Sequence, residues 1–123
     1  MNKFKNDPKK ISVYFAAENK RTHKVQPEDY YKVLTLPLTE IPGDDTLRID
    51  SIIKWTHTAE WLMLKRSIKA NDIIFIGDVA YILKPQSFIN TTNFDAVVLL
   101  LSTKKVIAYK LGEINDDRKD TTS

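Results

Sequence analysis

Apolar positions along this chain come in short runs separated by polar or turn-forming residues. Residues 73–76 (IIFI) and 79–83 (VAYIL) flank Gly77-Asp78, and a two-residue Gly-Asp step between apolar runs is a type I′ or II′ hairpin signal. Both runs are apolar on both faces, which predicts a central pair of strands, not an edge. Residues 11–15 (ISVYF) predict another strand, with Ile11, Val13 and Phe15 on one face. Over 46–55, Leu47 and Ile49 alternate with Arg48 and Asp50, which predicts a further strand. Residues 96–101 and 105–110 predict a last hairpin around Thr103 and Lys104, and 22–26 could form a short returning strand.

Two segments fit either period. In 27–36, Pro27, Glu28 and Asp29 suit a first helical turn, whereas Tyr31, Val33 and Thr35 alternate as in a strand. In 58–67, Thr58 suits the cap of a short helix, while Trp61 and Met63 could equally face one way in a strand and Leu62 and Leu64 the other. Residues 36–46 contain Pro37, Pro42, Gly43, Asp44 and Asp45 and predict a long exposed loop, and 86–94 predict a polar loop. The expected fold is mainly β: a small antiparallel β-barrel or sandwich of six to seven strands, with at most one or two short helices and disordered termini. It divides into a flexible basic arm at 1–10, a single domain at 11–111 and a polar tail at 112–123.

Composition narrows the class. With 123 residues, 42% hydrophobic and 28% charged, the chain has the make-up of one soluble globular domain. The absence of cysteine removes disulfides and thiolate metal sites and fits a reducing compartment. MNKFKNDPKK has no apolar stretch after its lysines, unlike a secretory signal, and no apolar run approaches the roughly 18 residues of a membrane span. Residues 1–24 hold seven Lys/Arg against Asp7 and Glu18, a net of +5 in a chain of +3, so the remainder sums to −2. That basic segment suits a solvated arm, or one that docks on an acidic partner or on DNA phosphates.

Candidate chemistry is sparse. His23 and His57 do not form a metal-binding spacing. Ser51, His57 and Asp72 lack the elbow sequence of a nucleophilic serine. Three glycines, at 43, 77 and 112, cannot build the usual phosphate-cradling loop, and Asp44-Asp45 has no calcium-loop spacing. Asn90-Thr91-Thr92 has the form of a glycosylation acceptor and, without a secretion signal, marks only an exposed loop. Most aromatics fall inside strand patterns and predict core; YYK at 30–32 and KW at 54–55 are the weak candidates for a nucleic-acid stacking platform. The sequence therefore predicts no catalytic, cofactor or metal residues, and no enzyme. The candidate interface residues are Lys3, Lys5, Lys9 and Lys10 in the arm, Leu38, Glu40, Ile41, Asp44 and Asp45 in the 36–46 loop, and Phe88 and Ile89 in the later loop.

Residues 59–105, AEWLMLKRSIKANDIIFIGDVAYILKPQSFINTTNFDAVVLLLSTKK, resemble the closing half of tailed-phage head–tail joining proteins, also called stoppers or head-completion proteins. That family shows a polar x-x-G-D step, here Lys69-Ala70-Asn71-Asp72 with Asn in the place of Gly. It then shows a G-x-x-Y hairpin, here Gly77 to Tyr81, and a final apolar strand, here Val97 to Leu101. VQPEDYYKV (25–33) is similar to a family segment that precedes the long loop. The resemblance implies a virion structural protein without cofactors that forms a ring on the portal or adaptor, contacts tail proteins, and lets DNA pass without sequence-specific binding. Some members close the channel with a long loop. By the same resemblance, 36–46 is the channel-facing or neighbour-binding loop, and 1–10 and 112–123 dock on adjacent rings. The place implied is the head–tail junction of the virion, with the host cytoplasm before assembly. The alternative is a small β-barrel that binds single-stranded nucleic acid, or a phage-encoded inhibitor of a host factor.

Overall fold

In the computed structural model, described over residues 5–18, 25–86, 98–99, 101–103 and 105–111, the hairpin at Gly77-Asp78 is the centre of the sheet. Its strands are β3 (Ile73–Ile76) and β4 (Val79–Pro85). Beside β3 run β1 (Lys10–Ala16) and then β2 (Tyr30–Pro37). Beside β4 run β6 (Val106–Lys110) and then the two-residue β5 (Val98–Leu99). The order is β2-β1-β3-β4-β6-β5, and every neighbouring pair is antiparallel. The fold is mainly β and antiparallel, as the apolar runs predict.

Gly77 lies at φ +63 and Asp78 is not among the positive-φ residues, so the turn is of the II′ kind, which needs the left-handed residue first. A Cβ at Gly77 would sit 2.8 Å from the Pro8 carbonyl oxygen, because the N-terminal segment crosses the turn. The Gly77 N–H donates to Lys10 O at 2.8 Å, and Asn6 Nδ2 donates to Gly77 O at 2.7 Å. Ser12, fully buried, donates to Asn6 Oδ1 at 2.6 Å. The inner half of the basic segment is thus bonded into the sheet.

Three expectations are corrected. Residues expected as a strand at 46–55 form helix α1 (Asp45–Trp55). The Asp44 carboxylate caps it by accepting from the Leu47 N–H at 2.9 Å, and Asp45 occupies its first turn. Ile49, Ile52 and Ile53 are its buried stripe, spaced for one helical face, and this longer period overrides an alternation that spans only four residues. Second, 36–46 is not a long open loop. β2 continues to Pro37, a 3₁₀ turn follows at Leu38–Glu40, and Leu38 and Ile41 pack against the core. Third, the described strands form one open sheet, not a closed barrel or a two-sheet sandwich. One apolar face is covered by α1, whose isoleucines join Ile11, Val13, Phe15, Ile74 and Ile76, so a helix takes the place of a second layer of strands. Tyr14, Ile73, Phe75, Ile82 and Tyr109 make a second buried cluster.

The two ambiguous segments resolve differently. Pro27–Asp29 is a single 3₁₀ turn that leads into β2, so the strand period holds from residue 30. Thr58 caps the one-turn helix α2 (Ala59–Leu62), its hydroxyl accepting from the Trp61 N–H at 3.3 Å. Asn71 adopts φ +80 at the position where the resembled step has Gly, and Asn tolerates this left-handed conformation better than most residues.

Candidate interaction surface

The chain between α1 and β3 is pinned at three points, and these decide which side chains face outward. Thr56, fully buried, donates to Ile53 O at 3.0 Å and accepts from the Ile68 N–H at 3.1 Å, tying both ends of the segment together. Trp61 is buried, and its indole N–H donates to Arg66 O at 2.7 Å. Its ring stands edge-on to Phe15 at 6.5 Å and tilted to Trp55 at 5.6 Å. Arg66 stacks over the Phe15 ring at 3.9 Å. Its two terminal nitrogens donate to Asp72 Oδ2 and Oδ1 at 2.8 and 2.9 Å. Asp72, fully buried, also accepts from the Ala16 N–H and the Lys69 N–H, each at 2.8 Å. Its hydrogen bonds to Asp72 hold the Arg66 guanidinium even more firmly protonated than an ordinary arginine.

A one-turn helix can direct only part of its side chains inward. Trp61 takes the inward position, and Leu62, Met63 and Leu64 are left outward, 49%, 84% and 80% exposed. Trp55 is 38% exposed beside Trp61, and Tyr31 is exposed with its ring edge-on to Phe15 at 6.1 Å. Three consecutive exposed apolar residues on this base form a candidate contact surface, since a run of that kind at the surface gains nothing from water. Lys54, His57, Glu60 and Lys65, which precede and follow the strip in sequence, are exposed. The His57 Nδ1 lies 2.8 Å from Ile53 O.

The strip contains none of the sequence-predicted interface residues. Lys3, Phe88 and Ile89 lie outside the described residues, as does the tail 112–123. Lys5, Lys9 and Lys10 are exposed near the Gly77 turn. Leu38 and Ile41 are half-buried against the core. Glu40 and Asp44 are exposed, and Asp45 accepts from the Tyr81 hydroxyl at 2.5 Å. Burial and that hydrogen bond push the Tyr81 hydroxyl well above its ordinary range. Of the two lysine–aromatic pairs, Tyr31 and Trp55 are exposed, whereas Tyr30 is buried with its hydroxyl donating to Asn71 O at 2.9 Å. Among the described residues, no three His, Cys, Asp or Glu side chains come together as a metal site would require, and no helix is long and apolar enough to cross a membrane. No family model, curated protein or solved structure matches the chain.

Proposed function

We propose that this protein is a non-enzymatic structural component of a tailed-phage virion, seated as a ring between the DNA-filled head and the tail. Its partners in this reading are the portal or adaptor above and tail proteins below. The observation that carries the assembly role is the outward strip Leu62-Met63-Leu64, held on the Trp61–Arg66–Asp72 base. An apolar run of this kind is suited to burial against another protein, since it offers neither hydrogen bonds nor charge to a small ligand or to phosphates. The phage setting rests on the resemblance of residues 59–105, which contain the strip, the left-handed Asn71 step and the Gly77 hairpin.

A single-stranded nucleic-acid reading draws on Tyr31 and Trp55, exposed beside Lys32 and Lys54. The larger exposed area at Met63 and Leu64 favours protein, because stacking platforms present aromatic faces, not aliphatic ends. The experiment is electron microscopy of heads made without this protein, incubated with the purified chain. Added density at the portal vertex is expected. Binding to oligonucleotides that weakens steeply with salt, with no density on heads, would replace this reading with the nucleic-acid one.

A further inference from the structure

The two ends of α1 carry opposite chemistry. At its start, residues 33–47 contain Glu40, Asp44 and Asp45 and no Lys or Arg. Arg48 follows, but its Nε donates to Ile41 O at 2.7 Å and its guanidinium lies 3.8 Å from Asp45, so these two charges offset each other and leave the exposed Glu40 and Asp44. Here Leu47 is 51% exposed and leans over Gly43, where an added Cβ would come within 2.6 Å of it; the missing side chain leaves the leucine uncovered. At the other end, residues 54–69 carry exposed Lys54, Lys65 and Lys69 against exposed Glu60, with the Leu62-Met63-Leu64 strip among them in sequence; Arg66 is spent on Asp72. Eleven residues of helix separate the two ends by about 16 Å at 1.5 Å per residue.

We propose that the strip docks on a second copy of this chain, against the acidic start of its α1, with Met63 and Leu64 covering the neighbour's Leu47. This rests on the assembly reading and deepens it by naming the contact between subunits. Charge complementarity selects the occupant. Basic rim meets acidic rim, whereas a two-fold contact of the strip with itself would set Lys54 and Lys65 against their own counterparts. Because the two surfaces differ, the contact is head-to-tail, the kind that closes into rings. Edge-to-edge pairing of β2 is a poor substitute. Val13 pairs with Leu34 and Tyr14 with Lys32, so Val33 is bulged out of the ladder, and Lys32 and Pro37 further guard that edge.

Because the chain has no cysteine, engineered thiols report the contact cleanly. Leu47→Cys and Met63→Cys chains, each altered at an exposed position, are mixed at low salt and oxidised or treated with a short bismaleimide. The expected result is a mixed dimer several-fold more abundant than either homodimer, and more abundant than the dimer of Leu47→Cys with a control, Glu28→Cys. Added salt should reduce it. A yield equal to the control, or a dominant Met63→Cys homodimer, would overturn the proposal. Head binding by the unaltered chain is scored separately. Head binding without the mixed dimer overturns this contact and leaves the assembly reading standing; the mixed dimer without head binding supports the contact and counts only against the phage reading.

Discussion

Arg66 and Asp72 form a two-pronged ion pair at 2.8 and 2.9 Å, with the carboxylate fully buried and the guanidinium lying on the Phe15 ring. Two backbone N–H groups complete the acceptor capacity of Asp72, from Ala16 in β1 and from Lys69. One buried charge therefore joins the sheet to the segment that carries the exposed strip. Removing the carboxylate takes the acceptor from both amides and leaves the guanidinium only the Ser67 and Ala16 carbonyls, with no counter-charge. Asp72→Ala should cost about 3–5 kcal/mol in denaturant unfolding. Arg66→Lys keeps the charge but loses the fork and the stacking surface, and should fall between wild type and Asp72→Ala.

The hairpin turn and the N-terminal segment should behave as one unit. Gly77→Ala meets both a left-handed backbone and the Pro8 carbonyl, and should cost about 1–3 kcal/mol, while Asp78→Ala, at an exposed position outside that conformation, should be nearly silent. Thermal melts of the two variants check this.

Deleting residues 1–10 should destabilise the domain, not merely shorten it. The deletion removes Asn6, the acceptor of the buried Ser12 hydroxyl, leaving Thr35 Oγ1 at 3.3 Å as the remaining partner seen here. A loss of about 1–3 kcal/mol is expected.

Alkaline pH should weaken the fold through its tyrosines. Burial raises the Tyr30 and Tyr81 hydroxyls far above their ordinary value of 10.0, with help from Asp72 at Tyr30 and from Asp45 at Tyr81. The folded chain keeps them neutral while the unfolded chain ionises, so this stability is complete below about pH 10 and declines as the pH rises further. Tyr81→Phe should flatten the decline, read as the change in melting temperature between neutral pH and pH above about 10.

The hairpin was readable because Gly77-Asp78 is a local turn signal and residues on both of its faces are apolar, which only a central pair of strands allows. Helix α1 was hidden by coincidence. Leu47, Arg48, Ile49 and Asp50 alternate over one turn, while the helical signal lay in Asp44 as cap and in Ile49, Ile52 and Ile53 beyond it. The interaction strip could not be read from WLML, since all four residues are apolar. Trp61 is the buried one because its ring fits against Phe15 and its N–H reaches Arg66 O, contacts made with β1 and with the chain that follows. The core packing of Leu38 and Ile41 was hidden for the converse reason: two prolines and a glycine suggested an open loop, but the core reaches under it.

The central claim, that the outward strip makes this protein an assembly component, is tested most directly by adding back protein to heads made without it and counting tailed particles by microscopy. Met63→Asp/Leu64→Asp changes only exposed side chains and should unfold within about 0.5 kcal/mol of wild type. Wild-type protein should restore tailed particles and the folded double variant should not. Equal restoration by the double variant would contradict the account.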